Sequence, residues 1–377
     1  MLFPRVRAKN IHRWAGGYAR HELSRSLVGV RARRARPRYV LFALCDHFEP
    51  FWHRASPARA FSRTATWRDQ YPKLGREFRD SFGRPPRHTM FYPGEDYAPR
   101  ILDILGELAR DGLAEVELHL HHDGDTADTL RDKINGYLGE MAEHGHISRD
   151  GTGGYRYAFI HGNWCLANSR RDRRYCGVDD ELAVLFETGC YADFTFPSAP
   201  HETQPPTVNQ IYWPAGDLAR RAAHARGHRA RVGHRPHDRM LMIQGPLAVC
   251  RRASGKWRID SGAIDANDPP TAQRVRTWVN RRIHVAGRPE WIFVKVHTHG
   301  AVERNAGSLL GDGGRALHRA LAGYKGGDFR LLYVSAREMF NVAVAAMDGK
   351  SGSPLDYVDY AVAPAPVTCA KTLQWTG

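Results

Sequence analysis

Residues 38–48, RYVLFALCDHF, are apolar without interruption from Tyr39 to Cys45 and then turn abruptly polar. A run this short and continuous, closed by charged groups, reads as a strand covered on both faces. Similar runs recur at 114–122 (AEVELHLHH), 155–164 (YRYAFIHGNW), 191–199 (YADFTFPSA), 239–249 (RMLMIQGPLAV), 290–300 (EWIFVKVHTHG) and 329–336 (FRLLYVSA). Between them lie segments with helical spacing. In 99–113 the apolar positions 101, 102, 105 and 108 share one face, and 126–145 opens on Thr126, a suitable N-cap. Segments 178–189, 271–287, 313–323 and 336–349 read the same way. The alternation predicts an α/β chain with βα units around a parallel sheet or barrel, and no internal repeat is visible.

Three boundaries follow from composition. Residues 1–37 form a basic N-terminal arm, 38–349 the β/α body, and 350–377 a tail rich in Gly and Pro that is expected to wrap the outside of the domain. Within the body, 200–238 is rich in Pro, His and Arg and reads as a long loop or insertion.

The formal net charge of +15 raises the question of nucleic acid. The arginines are dispersed, however, and no recognition-helix, OB or RRM-type motif is present, so no specific nucleic-acid partner is expected. The basic arm is different, because almost no acid balances RARRARPR or HRWAGGYARHELSRS. Such an arm suits peripheral contact with an anionic membrane surface or an acidic partner, and equally a solvated, mobile terminus. No apolar run approaches the ~20 residues that span a bilayer, and the N-terminus lacks a secretory h-region. The expectation is a cytoplasmic chain, at most peripheral to a membrane. Six cysteines without a CxxC pair suit reduced thiols.

In a parallel barrel, reactive groups gather where strands end. Here five strand ends are polar: Asp46, His47 and Glu49; His119, His121, His122, Asp123 and Asp125; His161, Asn163 and Trp164; Asp193 and Ser198; His297 and His299. Any one has an ordinary explanation as a surface or hydrogen-bonded residue, but parallel strands would bring all of them to one rim. His119 and His121, two apart in a strand, share a face and can hold one ion between them. Imidazole suits Zn²⁺ or a similar divalent metal, a carboxylate completes an open site, and Asp46 is the natural candidate, with His47 as a further ligand. Either His297 or His299 can act as general acid or as ligand. A histidine-rich patch serving only hydrogen bonds is the plain alternative.

The strand order and these strand-end strings resemble the polysaccharide deacetylases of the carbohydrate esterase 4 type. "LCDHF" resembles the family's first motif, with Asp46 at its first aspartate and His47 in place of the second. "HLHHDGD" is similar to the second motif in place and composition, though no pair of its histidines is four apart. "IHGNW" stands where the third motif falls, without its Arg-Pro, and "VKVHTHG" resembles the last. HGNW, GCYADFTFPSAP and HTHG together also resemble a divergent branch of bacterial proteins associated with polysaccharide synthesis. The resemblance, over roughly 38–345, implies a distorted (β/α)7-type barrel and a metal-dependent deacetylase of an acetylated glycan or sugar intermediate. The implied catalytic residues are Asp46, His297 and His299, and the implied metal ligands are Asp46, His47, His119 and His121. His161, Asn163, Trp164, Asp193 and Ser198 would touch the carbohydrate, with Phe194 and Trp213 as further aromatic candidates for stacking.

Two other readings use the same residues. A glycoside hydrolase would need two carboxylates ~5–9.5 Å apart, drawn from Glu49, Asp123, Asp125 and Asp193. A non-catalytic polysaccharide-pathway or binding protein would need neither metal nor carboxylate pair.

Overall fold

The computed structural model describes residues 9–32, 37–252, 254–324 and 329–369. The first eight residues, 33–36 of the basic arm and the end of the tail lie outside them. The helices are α1 (Ile11–Ala32), α2 (Pro57–Glu77), α3 (Pro99–Arg110), α4 (Ala127–Glu143), α5 (Glu181–Glu187), α6 (Ala272–Val279), α7 (Glu303–Leu310), α8 (Asp312–Ala322), α9 (Ala336–Met347) and α10 (Pro366–Cys369). The strands are β1 (Arg38–His47), β2 (His88–Pro93), β3 (Ala114–Leu120), β4 (Ser148–Arg149), β5 (Tyr155–His161), β6 (Cys190–Asp193), β7 (Ile211–Pro214), β8 (Gly227–Arg229), β9 (Leu241–Ile243), β10 (Ala248–Arg251), β11 (Trp257–Asp260), β12 (Trp291–Thr298) and β13 (Phe329–Tyr333).

One large sheet runs β12-β1-β2-β3-β5-β6-β9-β7-β8. Its strands from β12 through β9 are parallel, while β7 and β8 add antiparallel pairs at the far end. The run that opened the sequence is the hub. β1 pairs β12 along its length and, on its other side, β13 through Arg38–Phe42 and then β2 through Leu44–His47.

Because successive strand residues point to opposite faces, parity sorts the buried side chains into two cores. Val40, Phe42 and Leu44 join Val116, Leu118, Phe159, Ile292 and Val294 under the flanking helices. Leu41, Ala43 and Cys45 join Ile160, Leu241, Ile243 and Phe293 on the inner face. That inner face is filled from below by α9, AREMFNVAVAAM, buried at all twelve positions. Apart from Arg337, Glu338 and Asn341 its residues are apolar, and none of its faces is given to water.

Several elements lay outside the sequence expectation. The 21-residue α2 is polar overall and carries Pro72, a signal for a break, yet its Ala60, Thr64, Trp67, Tyr71 and Leu74 bury one helical stripe. The 271–287 helix stops at Asn280, and the 239–249 run divides between β9 and a β10–β11 hairpin. Segment 200–238 carries β7 and β8 rather than loop alone. The middle of the N-terminal arm is a docked helix: Trp14 is buried against Ala199, Val208 and Leu247, and Arg281 pairs with Glu22 at 2.6 Å. The tail packs back on the body, where Val367 N–H donates to Gly145 O. No helix among the described residues is long and apolar enough to cross a membrane.

Candidate metal centre

The parallel strands deliver their C-terminal ends to one edge. Parity then decides which strand-end side chains meet. His47, His119 and His297 are odd-numbered and continue the inner face, with His121 and His299 just beyond it; Asp46, His122 and His161 continue the outer one.

On the inner side, a carboxylate stands among imidazoles, and it is Glu49 rather than Asp46. Glu49 Oε1 lies 3.3 Å from His119 Nε2 and 3.0 Å from His121 Nε2, while Oε2 lies 2.7 Å from His299 Nδ1. The ligand atoms of Glu49, His119 and His121 all fall within 4.8 Å of one another. His47 completes the ring of imidazoles, its centroid 4.8 Å from those of both His119 and His299. Both His47 nitrogens are buried without a hydrogen-bond partner among the described residues.

The outer partners of these histidines decide their tautomers. His119 Nδ1 is 2.9 Å from the Ile160 carbonyl, which only accepts, so this nitrogen carries the hydrogen. His121 Nδ1 is 2.7 Å from Glu95 Oε1 with the same consequence. Both Nε2 atoms then present lone pairs toward a carboxylate oxygen. Two acceptors at this distance need a proton or a cation between them. Burial pulls His119 below its ordinary value, whereas His121 is raised to about 10 because its bonds to Glu49 and Glu95 outweigh burial. A proton or a divalent ion shared with Glu49 Oε1 would resolve both contacts. Glu49 itself, which burial would raise, is held well below the usual carboxylate range by His119, His121 and His299. Carboxylate- or carbonyl-braced imidazoles of this kind are the usual support of metal ligands.

Asp46 has a different task. It shares parity with Leu44 and is fully buried, with Oδ2 2.9 Å from His88 Nε2 and Oδ1 accepting the Gly300 N–H at 2.6 Å. It therefore anchors the HTHG turn from the outer side instead of meeting the histidine ring. A Cβ at Gly300 would overlap Asp46 Oδ2 and press on Trp67. Gly300→Ala is expected to destabilise the fold by about 1–3 kcal/mol, read as a lower midpoint in thermal unfolding; an unchanged midpoint would refute this packing.

Of the proton-transfer candidates, His299 sits on Glu49, and its preference for the proton comes from that bond prevailing over burial. His297 is neutral, lowered by burial and by Lys295, and its Nδ1 has no partner among the described residues. His297 also lines a cleft of about 630 Å³ with Trp164, Ser198, His201, Ser261 and Ala263. Trp164 and Ser198 are thus brought together with His297 beside the ring of imidazoles, 6.1 Å from His47 by ring centroids. Asn163 sits next to Trp164, half-buried. His161 and Asp193 go elsewhere. His161 faces Glu181 on the outer side. Asp193 is buried on Thr195, its carboxyl raised to about 7 chiefly by burial. Phe194 and Trp213 are core aromatics.

The carboxylates considered for glycoside cleavage do not pair. Asp123 accepts the Tyr175 N–H, Asp125 is held by Lys133 and Thr129, and only Glu49 stands at the site. Two residues escaped the sequence reading. Glu95, in the turn after β2, braces His121, and Trp52, 5.3 Å from His299 by ring centroids, flanks the open side. Their only sequence signal was position just past a strand. Fold and rim together define a mixed α/β protein with a largely parallel sheet and a histidine-rich rim. Comparison with family models, curated proteins and solved structures found no match.

Proposed function

We propose that this chain is a metal-dependent hydrolase that removes acetyl groups from a glycan or sugar intermediate, on a distorted barrel of the polysaccharide deacetylase kind. The observation that carries the reading is the convergence of Glu49, His119 and His121, with His47 and His299 beside them, at the C-terminal rim of a parallel sheet. Barrel-like curvature is supported by Lys295, whose Nζ donates to Phe196 O at 3.3 Å and so ties β12 to the far half of the sheet.

A divalent ion, Zn²⁺ by the nitrogen-rich donor set, would supply Lewis acidity and make a water nucleophilic near neutral pH. Glu49, His119 and His121 would hold it, and His47 or His299 would complete the set. His297 starts neutral at the cleft. It would take the proton from the attacking water and return it to the leaving nitrogen or oxygen, so one group serves as base and then acid. Trp164 offers an aromatic face for a sugar ring, and Ser198 a hydroxyl for hydrogen bonding.

Acetate release from acetylated oligosaccharides, measured with and without chelator, tests the reading. Chelation is expected to abolish turnover and added Zn²⁺ to restore it. Chelator-resistant release of reducing ends would instead place the chain among glycosidases, and no turnover of either kind by metal-loaded protein would remove the enzymatic reading. Trp164→Ala is expected to raise KM several-fold with a smaller change in kcat; a loss confined to kcat would contradict a role in sugar binding.

A further inference from the structure

HLHHDGD splits between two faces of the sheet. While His119 and His121 turn inward, His122 turns outward and meets His161, Cys176 and Glu181. All four are buried, and their ligand atoms lie within 4.8 Å of one another. We propose that these four side chains form a second, structural metal site that takes a borderline-soft divalent cation such as Zn²⁺ and staples the 162–180 loop to the strand ends.

The donor set is two imidazoles, one thiolate and one carboxylate, four ligands of the types zinc takes and enough to close a tetrahedral site. His122 is prepared for ligation. Its Nδ1 is 3.2 Å from Asp125 Oδ2, a carboxylate itself held by Lys133, so Nε2 is left facing Glu181 Oε1 at 3.0 Å. Again two acceptors face one another, and a proton or an ion between them resolves the contact. Glu181 Oε2 is braced by the Ala167 N–H at 2.5 Å, and Cys176 Sγ lies 3.4 Å from the same oxygen. His161 Nε2 is buried without a hydrogen-bond partner among the described residues, 3.7 Å from Glu181 Oε1. Ligation moves the His161 hydrogen to Nδ1 and gives up a 3.2 Å contact from the Asn163 N–H. It also releases the Cys176 proton to solvent, since the thiolate is the ligand.

The site explains the loop that it closes. Between His161 and Glu181 the chain has no regular element longer than one turn of 3-10 helix. Trp164, Ala167, Asn168, Arg173 and Tyr175 all hold positive φ, a region that L-residues other than Asn rarely adopt. Such a loop persists only where its surroundings over-determine it. Ligands from β3, β5, the loop and α5 would do so, and would thereby set Trp164 against the cleft.

Cobalt substitution tests this, because the Glu49 site contains no cysteine. The full chain and its His119→Ala/His121→Ala variant, both loaded with Co²⁺, are expected to show thiolate-to-cobalt charge-transfer absorption in the near ultraviolet. Each is expected to retain one Zn²⁺ per chain at this site after dialysis. Cys176→Ser should lose the absorption band, and Glu181→Gln should weaken zinc retention at least tenfold. No charge-transfer band in folded, cobalt-loaded wild-type protein overturns the proposal. So does a zinc content that falls to zero in the His119→Ala/His121→Ala variant. Both readouts use chains that keep the four proposed ligands, so misfolding of Cys176→Ser cannot rescue or sink it.

Discussion

Glu49→Gln is expected to lower kcat/KM for deacetylation by about a thousandfold or more, a loss of roughly 4 kcal/mol of transition-state stabilisation. The same substitution should reduce bound metal at the inner site, while circular dichroism stays that of the parent. The size follows from geometry. Among the described residues Glu49 is the one carboxylate reaching His119, His121 and His299 together, and an amide has neither the charge nor the second anionic oxygen to replace it. Asp46→Asn makes the informative contrast. Because Asp46 serves the Gly300 N–H and His88, its loss should lower thermal stability and activity in step, without selective loss of metal. If Asp46→Asn strips the metal and Glu49→Gln retains it, the assignment of the inner carboxylate is wrong.

Arg337→Leu is expected to destabilise the protein by roughly 3–5 kcal/mol, because it removes the guanidinium that grips both Glu115 oxygens and leaves Arg87 alone to balance a buried carboxylate. At about 2–4 °C per kcal/mol, the rate for domains of 150–250 residues, the melting temperature should fall by roughly 6–20 °C. Arg337, at the start of α9, donates to both oxygens of Glu115 at 2.9 and 3.1 Å, to Asp359 at 2.7 Å and to the Val362 carbonyl at 2.8 Å. It thus joins β3, the central helix and the tail in one network. Arg84 and Arg87 extend that network to Glu338. Burial would raise the Glu338 carboxyl, but Arg84, Arg87 and Arg337 hold it below its ordinary 4.5. A folded value below the unfolded one means that this stabilisation is complete above about pH 4.5 and fades as the pH falls further. Thermal unfolding followed from pH 7 to pH 3 should show that fall in the parent and a shallower one in Arg337→Leu. Parallel curves would show that the arginine does not set the acid sensitivity.

Much of the fold was legible in the chain itself. The continuous apolar runs marked β1, β3, β5 and β12, and 3.6-residue spacing marked α3, α4 and α9, because these signals are local and depend on covering a face of known period. Thr126 caps α4 as its side chain suggested. α2 stayed hidden because its buried stripe is thin, its surface is charged and Pro72 imitates a terminator.

The candidate site divides along a sharper line. That His119 and His121 share a side of their strand, and His297 and His299 a side of theirs, follows from strand period alone. The same period sets Asp46 and His47 on opposite sides, so the expectation that both would hold one ion neglected it, and the structure places Asp46 on His88 and Gly300 instead. Parity fails one or two residues beyond a strand, where a turn sets direction, and that is where Glu49, Glu95 and Trp52 lie. Which carboxylate met the histidines was therefore decided by the path of the turn after β1. Likewise Cys176 and Glu181, on a loop and a short helix, reach His122 and His161 only through packing that spans some sixty residues. The sequence by itself determined which chemistry each strand end carries, because side-chain direction within a strand is a local property. Only the tertiary structure decided which ends meet, because that depends on how separate loops turn at the rim of the sheet.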